Sequence, residues 1–535
     1  MDRRQFLKTA AATASAAGLA RSASAAGGPA PSAGPSPQPP NTYQYRPRPD
    51  NPDRRKPTGA FTGIQMGPFS LLDEGVDRCL DVCQEAGAVD ALLVYSHLYG
   101  AGMEVPKEVL ADDHGVPVRQ PSSRKLPRVW VRHHEEAFGG TALRHAEPRK
   151  DDEYAGHDLF AELAEPCRKR GIRLMARVLE PQGAHYVHVV RNWTRGLTVD
   201  LTGRLGPNGC WNNPDYRNFW LATAEDLFKT YPLDGFMFGA ERVGPLSRVL
   251  HRGHLPTCFC RFCAARAKDK GVDPERAKEG FGQLHGLVTA LQRSAAPPPD
   301  GALAEVLRVI LRFPEVLAWE REWAASLEEC VALVASTVKT VRPEALVGRH
   351  VDHQQTSWDL LYRAAVPTAE LGAAVDFVKP ATYHDIAAPR VREAVAERAT
   401  ATFLRGVGPE QAMQLYYGLA GLDPAKEPAY ADAMTRGFSP DYVFREVRRF
   451  VGSAAGRWAV YPGIAMDVPR HAPDGIHRFP TTPESVYEAT LKAFEAGADG
   501  VMACREYHEM RLPNLRAFGR AVREAAAARN EGTKR

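Results

Sequence analysis

The stretch from Leu233 to Cys263 brings a carboxylate, a guanidinium and three closely spaced cysteines into one short run. Asp234 to Gly239 is short, apolar and aromatic, as suits a strand buried on both faces. It runs into Ala240-Glu241-Arg242, which places a carboxylate and a guanidinium where the strand emerges. Beyond a polar loop stands Cys258-x-Cys260-x-x-Cys263. Three thiolates at that spacing can converge on one soft cation, and Zn²⁺ in a closed structural site takes four ligands. Cys210 is the leading fourth ligand and His254 the runner-up. Such a zinc staples loops and does no catalysis. The alternative for the cluster is three free or partly disulfide-linked cysteines.

The elements that must position these groups alternate between short apolar runs and amphipathic stretches, the pattern of βα units around a parallel sheet. Strands are expected at Phe61–Gly67, Ala91–Tyr95, Arg173–Leu179, Asp234–Gly239, Ala345–Gly348, Val375–Pro380, Trp458–Ala465 and Gly500–Cys504. Asn212-Asn213-Pro214-Asp215 opens a strong helix with proline in its first turn. Eight such units close naturally into an α/β fold, a (β/α)8 TIM barrel with long βα-loop insertions. The barrel spans 59–528, with insertions at about 100–153, 242–316 and 386–440.

In a barrel, ionisable residues at the C-terminal ends of strands read as functional. Those ends carry His97, Glu180, Glu241, Arg242, Arg349, Asp352, Lys379, Tyr383, Asp467, Arg505 and Glu506. Burying so many charges is costly unless they are paired or used. A carboxylate pair flanking a sugar is what glycoside hydrolysis requires, one protonated to release the leaving group and one ionised to attack or to activate water. Glu241 is the choice for the acid/base, against an ion pair with Arg242 or Arg349. Asp467 is the leading partner, against capping the turn at Val468-Pro469; Glu506 and Glu180 compete with it. The Arg505-Glu506-Tyr507 run could equally be a structural ion-pair network. His97, Glu180, Arg242, Arg349, Asp352, Lys379, Tyr383 and Arg505 are assigned to substrate binding. Tyr95, Tyr186, Trp211, Trp358, Tyr383 and Tyr507 offer aromatic platforms for sugar rings. His133-His134-Glu135-Glu136 is read as a loop bordering the cleft, because neighbours on an extended loop point apart.

Net charge is +4, with acids and bases nearly balanced, so no nucleic-acid partner is expected. Nine cysteines with one tight cluster do not make a disulfide scaffold. Residues 1–25 read as an export signal: Arg3-Arg4-Gln5-Phe6-Leu7-Lys8 resembles the twin-arginine motif, followed by an Ala-rich run and Ala23-Ser24-Ala25. A Pro/Gly/Ser-rich spacer fills 26–58, and 529–535 is a charged tail. The expected destination is the periplasm or the exterior, without stable membrane association after cleavage.

Around 210–263 the chain resembles the clan A glycoside hydrolases, with family 42 β-galactosidases nearest in layout. Glu241 matches that family's strand-four acid/base, and Cys210, Cys258, Cys260 and Cys263 match its cysteine cluster in order. The resemblance implies a barrel, a carbohydrate substrate, a structural zinc and no organic cofactor. Two departures stand against it: Ala240 where clan A carries Asn, and Asp467 where it carries a strand-seven Glu. The reading is an exported glycoside hydrolase acting on oligo- or polysaccharide. The alternatives are a metal-dependent sugar isomerase or epimerase using Glu180, His350, Asp352 and Glu506, and a non-catalytic carbohydrate-binding barrel.

Overall fold

The computed structural model describes residues 56–98, 110–116, 128–147, 154–180, 184–294, 296–472 and 474–532, all within one compact unit, Arg46–Arg535. The signal and nearly all of the spacer therefore lie outside the described residues, as does much of the first insertion.

A parallel sheet of nine segments forms the centre. The strands are β1 (Thr62–Met66), β2 (Ala91–Tyr95), β3 (Arg173–Leu179), β4 (Gly235–Gly239), β5 (Leu346–Val351), β6 (Phe377–Pro380), β7 and β8 (Val501–Cys504). The ninth segment arises because β7 comes in two pieces, Ala459–Val460 and Gly463–Ala465. The first piece pairs with β6 and the second with β8. Pro462, which has no N–H to donate, sits at the break. A bridge between Ala381 and Gly463 links the second piece back to the end of β6. β7 thus joins the two edges of the sheet, and the eight strands form a (β/α)8 barrel. Its outer helices are α1 (Val76–Gly87), α2 (Leu159–Arg170), α3 (Pro214–Thr230), α4 (Glu315–Val341), α5 (Leu360–Ala365), α6 (Pro440–Ala454), α7 (Pro483–Glu495) and α8 (Leu512–Gly532). Local sequence sets their starts. Asn213 caps α3 by accepting from Asp215 N at 3.0 Å, with Pro214 in the first turn.

Register is fixed at the bottom of the barrel by four aspartates, each just ahead of an even-numbered strand. Asp90, Asp234, Asp376 and Asp499 accept from the backbone N of Thr62, Leu174, Val347 and Val460 at 2.7–3.0 Å. Each also donates its own N–H to the carbonyl of that same residue. Every even strand is thereby clamped to the odd strand before it. A slip of one residue would break both bonds and turn the apolar side chains to the wrong face.

The insertion after β4 folds into helices Pro245–Arg252, Arg261–Asp269, Pro274–Arg293 and Ala302–Arg312. They close over a separate apolar cluster that includes Leu246, Phe281, Leu284, Phe313 and Trp319. After β6, helix His384–Val391 passes into a π-helical stretch, Arg392–Arg398, followed by helix Pro409–Ala420. No helix among the described residues is long and apolar enough to cross a membrane.

Candidate active site

Strand alternation sorts the barrel interior into layers. The lower one is apolar, with Phe61, Met175, Met237, Phe377, Tyr461 and Met502 in one cluster. Toward the C-terminal strand ends the interior turns polar: Gln65, Tyr95, Arg177, His350, Lys379 and Cys504 are all buried there. Two glycines make the room. A Cβ on Gly239 would lie 2.8 Å from His350, and one on Gly463 would lie 2.5 Å from Lys379.

A hydrogen-bonded chain runs through this layer to Glu241. Lys379 Nζ donates to Tyr383 Oη at 2.6 Å and faces His350 Nδ1 at 3.4 Å. An ammonium has no lone pair, so Nδ1 is the accepting nitrogen and Nε2 carries the imidazole proton. Nε2 then donates to Glu241 Oε1 at 3.2 Å. Burial and the charge of Lys379 bring His350 down to about 4, so it is neutral at ordinary pH. Burial, with Arg177 nearby, brings Lys379 down to about 8. Burial alone would raise the Glu241 carboxyl. The His350 hydrogen bond, with His353 and Arg390 close by, outweighs burial and holds it well below the usual carboxylate range. Glu241 is also the one candidate carboxylate that reaches solvent, its side chain 30% exposed.

Asp352, just past β5, is pushed the other way. Burial and the adjacent Glu241 charge raise its carboxyl well above the ordinary range. It accepts from Gln354 N at 2.6 Å, Gln355 N at 3.2 Å and Gln354 Nε2 at 3.2 Å. Two carboxyl groups on neighbouring strand ends therefore prefer opposite protonation states, the arrangement that separates an acid from a base.

Several residues expected at the mouth are engaged elsewhere. Asp467 is wholly buried at φ +56°, and its carboxylate accepts from Arg511 N at 2.9 Å, Arg511 Nε at 2.7 Å and Asn514 Nδ2 at 2.8 Å. It ties the end of β7 to the start of α8, and neither oxygen is left to partner Glu241. Arg349 was expected in a loop after a strand ending at Gly348. β5 instead continues to Val351, so alternation turns His350 inward and sends Arg349 outward to an ion pair with Glu328 on α4. Glu180 and Arg242 form a buried ion pair with each other. Trp211 Nε1 donates to Glu180 at 2.7 Å, and the Arg242 guanidinium stacks 4.1 Å over the Trp211 ring. That pair fastens the ends of β3 and β4 to the loop before α3. Arg505 bonds Glu509 at 3.1 Å, four residues on. His97 is buried against Ser96 and His145. Glu506 Oε1 accepts from Arg177 at 3.1 Å and Tyr95 Oη at 3.0 Å, with Arg177 lying 4.2 Å over the Tyr95 ring.

Arg177, His353 and Arg390 were not singled out from sequence. Arg177 was hidden by lying inside an apolar run, yet a charge in the middle of a buried strand is itself a signal. Arg390 belongs to the long insertion after β6, and its Nη1 is buried with no hydrogen-bond partner.

The cysteines converge. Cys210, Cys258, Cys260 and Cys263 bring their sulfurs within 4.8 Å of one another, with Cys210 at 3.6 Å from Cys260 and 3.5 Å from Cys263. Sulfurs on a tetrahedral zinc stand about 3.8 Å apart, so this donor set fits that ion. Cys210, and not His254, completes it. Val199 N and Asn212 Nδ2 donate to Cys258 and Cys263 Sγ at 3.3 Å each, the outer bonds that orient thiolate ligands. The set expected for a sugar isomerase does not assemble: Glu180 is bound to Arg242 and Glu506 to Arg177.

No family profile and no curated protein matches the chain. Solved glycoside hydrolases resemble it in fold. The PgaB (BpsB) glycoside hydrolase domain from Bordetella bronchiseptica is 13% identical, over 88% of this chain and 98% of that one, with a TM-score of 0.43. A β-galactosidase from the haloarchaeon Halorubrum lacusprofundi is 14% identical over 87% of this chain, with a TM-score of 0.48. This chain spans 58% of that enzyme's length. A chitinase from Chromobacterium violaceum is 9% identical, over 88% and 99%, at 0.37.

Proposed function

We propose that this chain is an exported glycoside hydrolase acting on oligo- or polysaccharide at the C-terminal mouth of its barrel. The observation that carries the reading is the placement of Glu241, a partly exposed carboxylate just past β4 that accepts from His350, with a second carboxyl, Asp352, just past the neighbouring β5. Glycoside hydrolysis divides its labour between two such carboxyl groups. Glu241 supplies the ionised group that attacks the anomeric carbon or takes a proton from water, and Asp352 supplies the proton for the leaving oxygen. This reverses the acid role expected for Glu241 from sequence. Lys379, Tyr383 and Arg390 are the polar contacts for sugar hydroxyls. Arg177, Tyr95 and Glu506 form the floor that fixes them. The four cysteines hold a structural zinc that staples the loop before α3 to the insertion after β4, away from the chemistry. The signal at 1–25 delivers the protein to the periplasm or beyond.

The experiment is hydrolysis of oligosaccharides and aryl glycosides by wild type, Glu241→Gln and Asp352→Asn. Loss with natural substrates and recovery with activated aryl leaving groups in Asp352→Asn is the signature of a lost general acid. Equal loss on both substrates would remove Asp352 from that role.

A further inference from the structure

A second donor cluster lies outside the barrel mouth, on loops the proposed chemistry does not use. His97, just after β2, meets His145 with 3.0 Å between their Nε2 atoms. The His133 ring stacks on His145, centroids 3.9 Å apart and nearly parallel. One ligating nitrogen from each of the three lies within 4.8 Å of the others. Asp226 on α3 accepts from His133 Nδ1 at 2.7 Å, and its second oxygen meets His134 Nδ1 at 2.8 Å. His97 Nδ1 is bonded to Ser96 Oγ at 2.8 Å.

The proton count of this cluster does not close on its own. A neutral imidazole has one N–H and one lone pair. His133 gives its proton to Asp226, which leaves the buried Nε2 lone pair with no donor. Only one of His97 Nε2 and His145 Nε2 can carry the proton between them, and His145 Nδ1 is buried with no partner at all. Packed apolar side chains would fill the space without these costs.

We propose that His97, His133 and His145 bind a divalent cation of the zinc class, with Asp226 as the outer carboxylate that fixes the His133 ring. Three imidazole nitrogens are the donors zinc takes in open sites, here Nε2 of His97 and of His133, whose Nδ1 atoms are engaged, and one ring nitrogen of His145; an aspartate on the far ring nitrogen is the usual support. Nitrogens on tetrahedral zinc stand about 3.3 Å apart, close to the 3.0 Å between His97 and His145 Nε2; the parallel His133 and His145 rings would tilt apart for both to meet one ion. Three ligands leave a fourth position. His133 and His145 form part of the wall of a cavity of about 510 Å³, which Trp130, Tyr154, His157 and His188 also line. The fourth position is therefore open to a water or a small ligand, whereas the four-cysteine set is closed. The cluster was invisible from sequence, because no local spacing brings His97 and Asp226 to His133 and His145.

Metal-stripped full-length protein titrated with Co²⁺ tests this. Wild type is expected to take up one equivalent more than His133→Ala, and that equivalent lacks thiolate-to-metal charge transfer. Cys258→Ser/Cys260→Ser is expected to keep it. Asp226→Asn is expected to weaken it about 10- to 100-fold. Equal uptake by wild type and His133→Ala would overturn the proposal. Should His133→Ala not fold, zinc-edge anomalous scattering from wild-type crystals decides: a peak among the three imidazoles supports the site, and its absence after zinc soaking refutes it.

Discussion

Lys379 offers the sharpest test of the polar layer. Its ammonium is buried on the inner face of β6, and burial brings it from 10.5 down to about 8. A base lowered by that much costs the folded state about 3 kcal/mol whenever both folded and unfolded chains are protonated. The cost is therefore fully present below pH 8. Between pH 8 and 10.5 the unfolded chain still holds the proton while the folded chain has released it, so stability rises with pH. Above 10.5 the cost is gone. Lys379→Met removes the group and with it this dependence. Losing the bonds to Tyr383 and His350 changes the variant's stability by a roughly constant amount. Urea unfolding of both proteins in parallel should show wild type gaining about 2.5 kcal/mol on the variant between pH 7 and pH 10. A difference that stays flat across that range would refute the argument that Lys379 is a buried, strained ammonium.

Activity should follow the same group: kcat/KM is expected to fall above about pH 8 as Lys379 loses its proton and His350 its fixed tautomer, and Lys379→Arg should remove that limb from the pH profile. Asp467→Ala should lower stability by about 1–3 kcal/mol through loss of the hydrogen bonds from Arg511 and Asn514, while kcat/KM measured well below melting stays within about twofold; a 100-fold loss in folded protein would return Asp467 to the active site. Arg349→Ala should cost about 1–3 kcal/mol by leaving the partly buried Glu328 without its partner, whereas Arg349→Met with Glu328→Leu should be neutral or stabilising in thermal melts, with unchanged rates for both.

The barrel was legible because its strands are short apolar runs separated by capped amphipathic helices. The clamp aspartates, in Val-Asp90-Ala, Leu-Asp234-Gly, Val-Asp376-Phe and Ala-Asp499-Gly, mark the strand starts in the sequence itself. The cysteine set was legible because three of its members are local and the fourth opens a capped helix. Side-chain direction was not. Stopping β5 at Gly348 hid the alternation that sends His350 in and Arg349 out, a difference of one residue with opposite consequences. Asp467 misled because a carboxylate at a strand end looks the same whether it faces the mouth or ties down the next helix. Only the positions of Arg511 and Asn514 separate those roles. The histidine cluster depends on three loops and a helix meeting, which no local spacing records.

The central claim is that an ionised Glu241 performs glycoside hydrolysis. Hydrolysis of a panel of oligosaccharides by wild type and Glu241→Gln measures it most directly. The account predicts cleavage by wild type and a loss of about 10²-fold or more in kcat for the variant, with the fold intact by circular dichroism. Full activity in Glu241→Gln, or no cleavage of any glycoside by wild type, would contradict it.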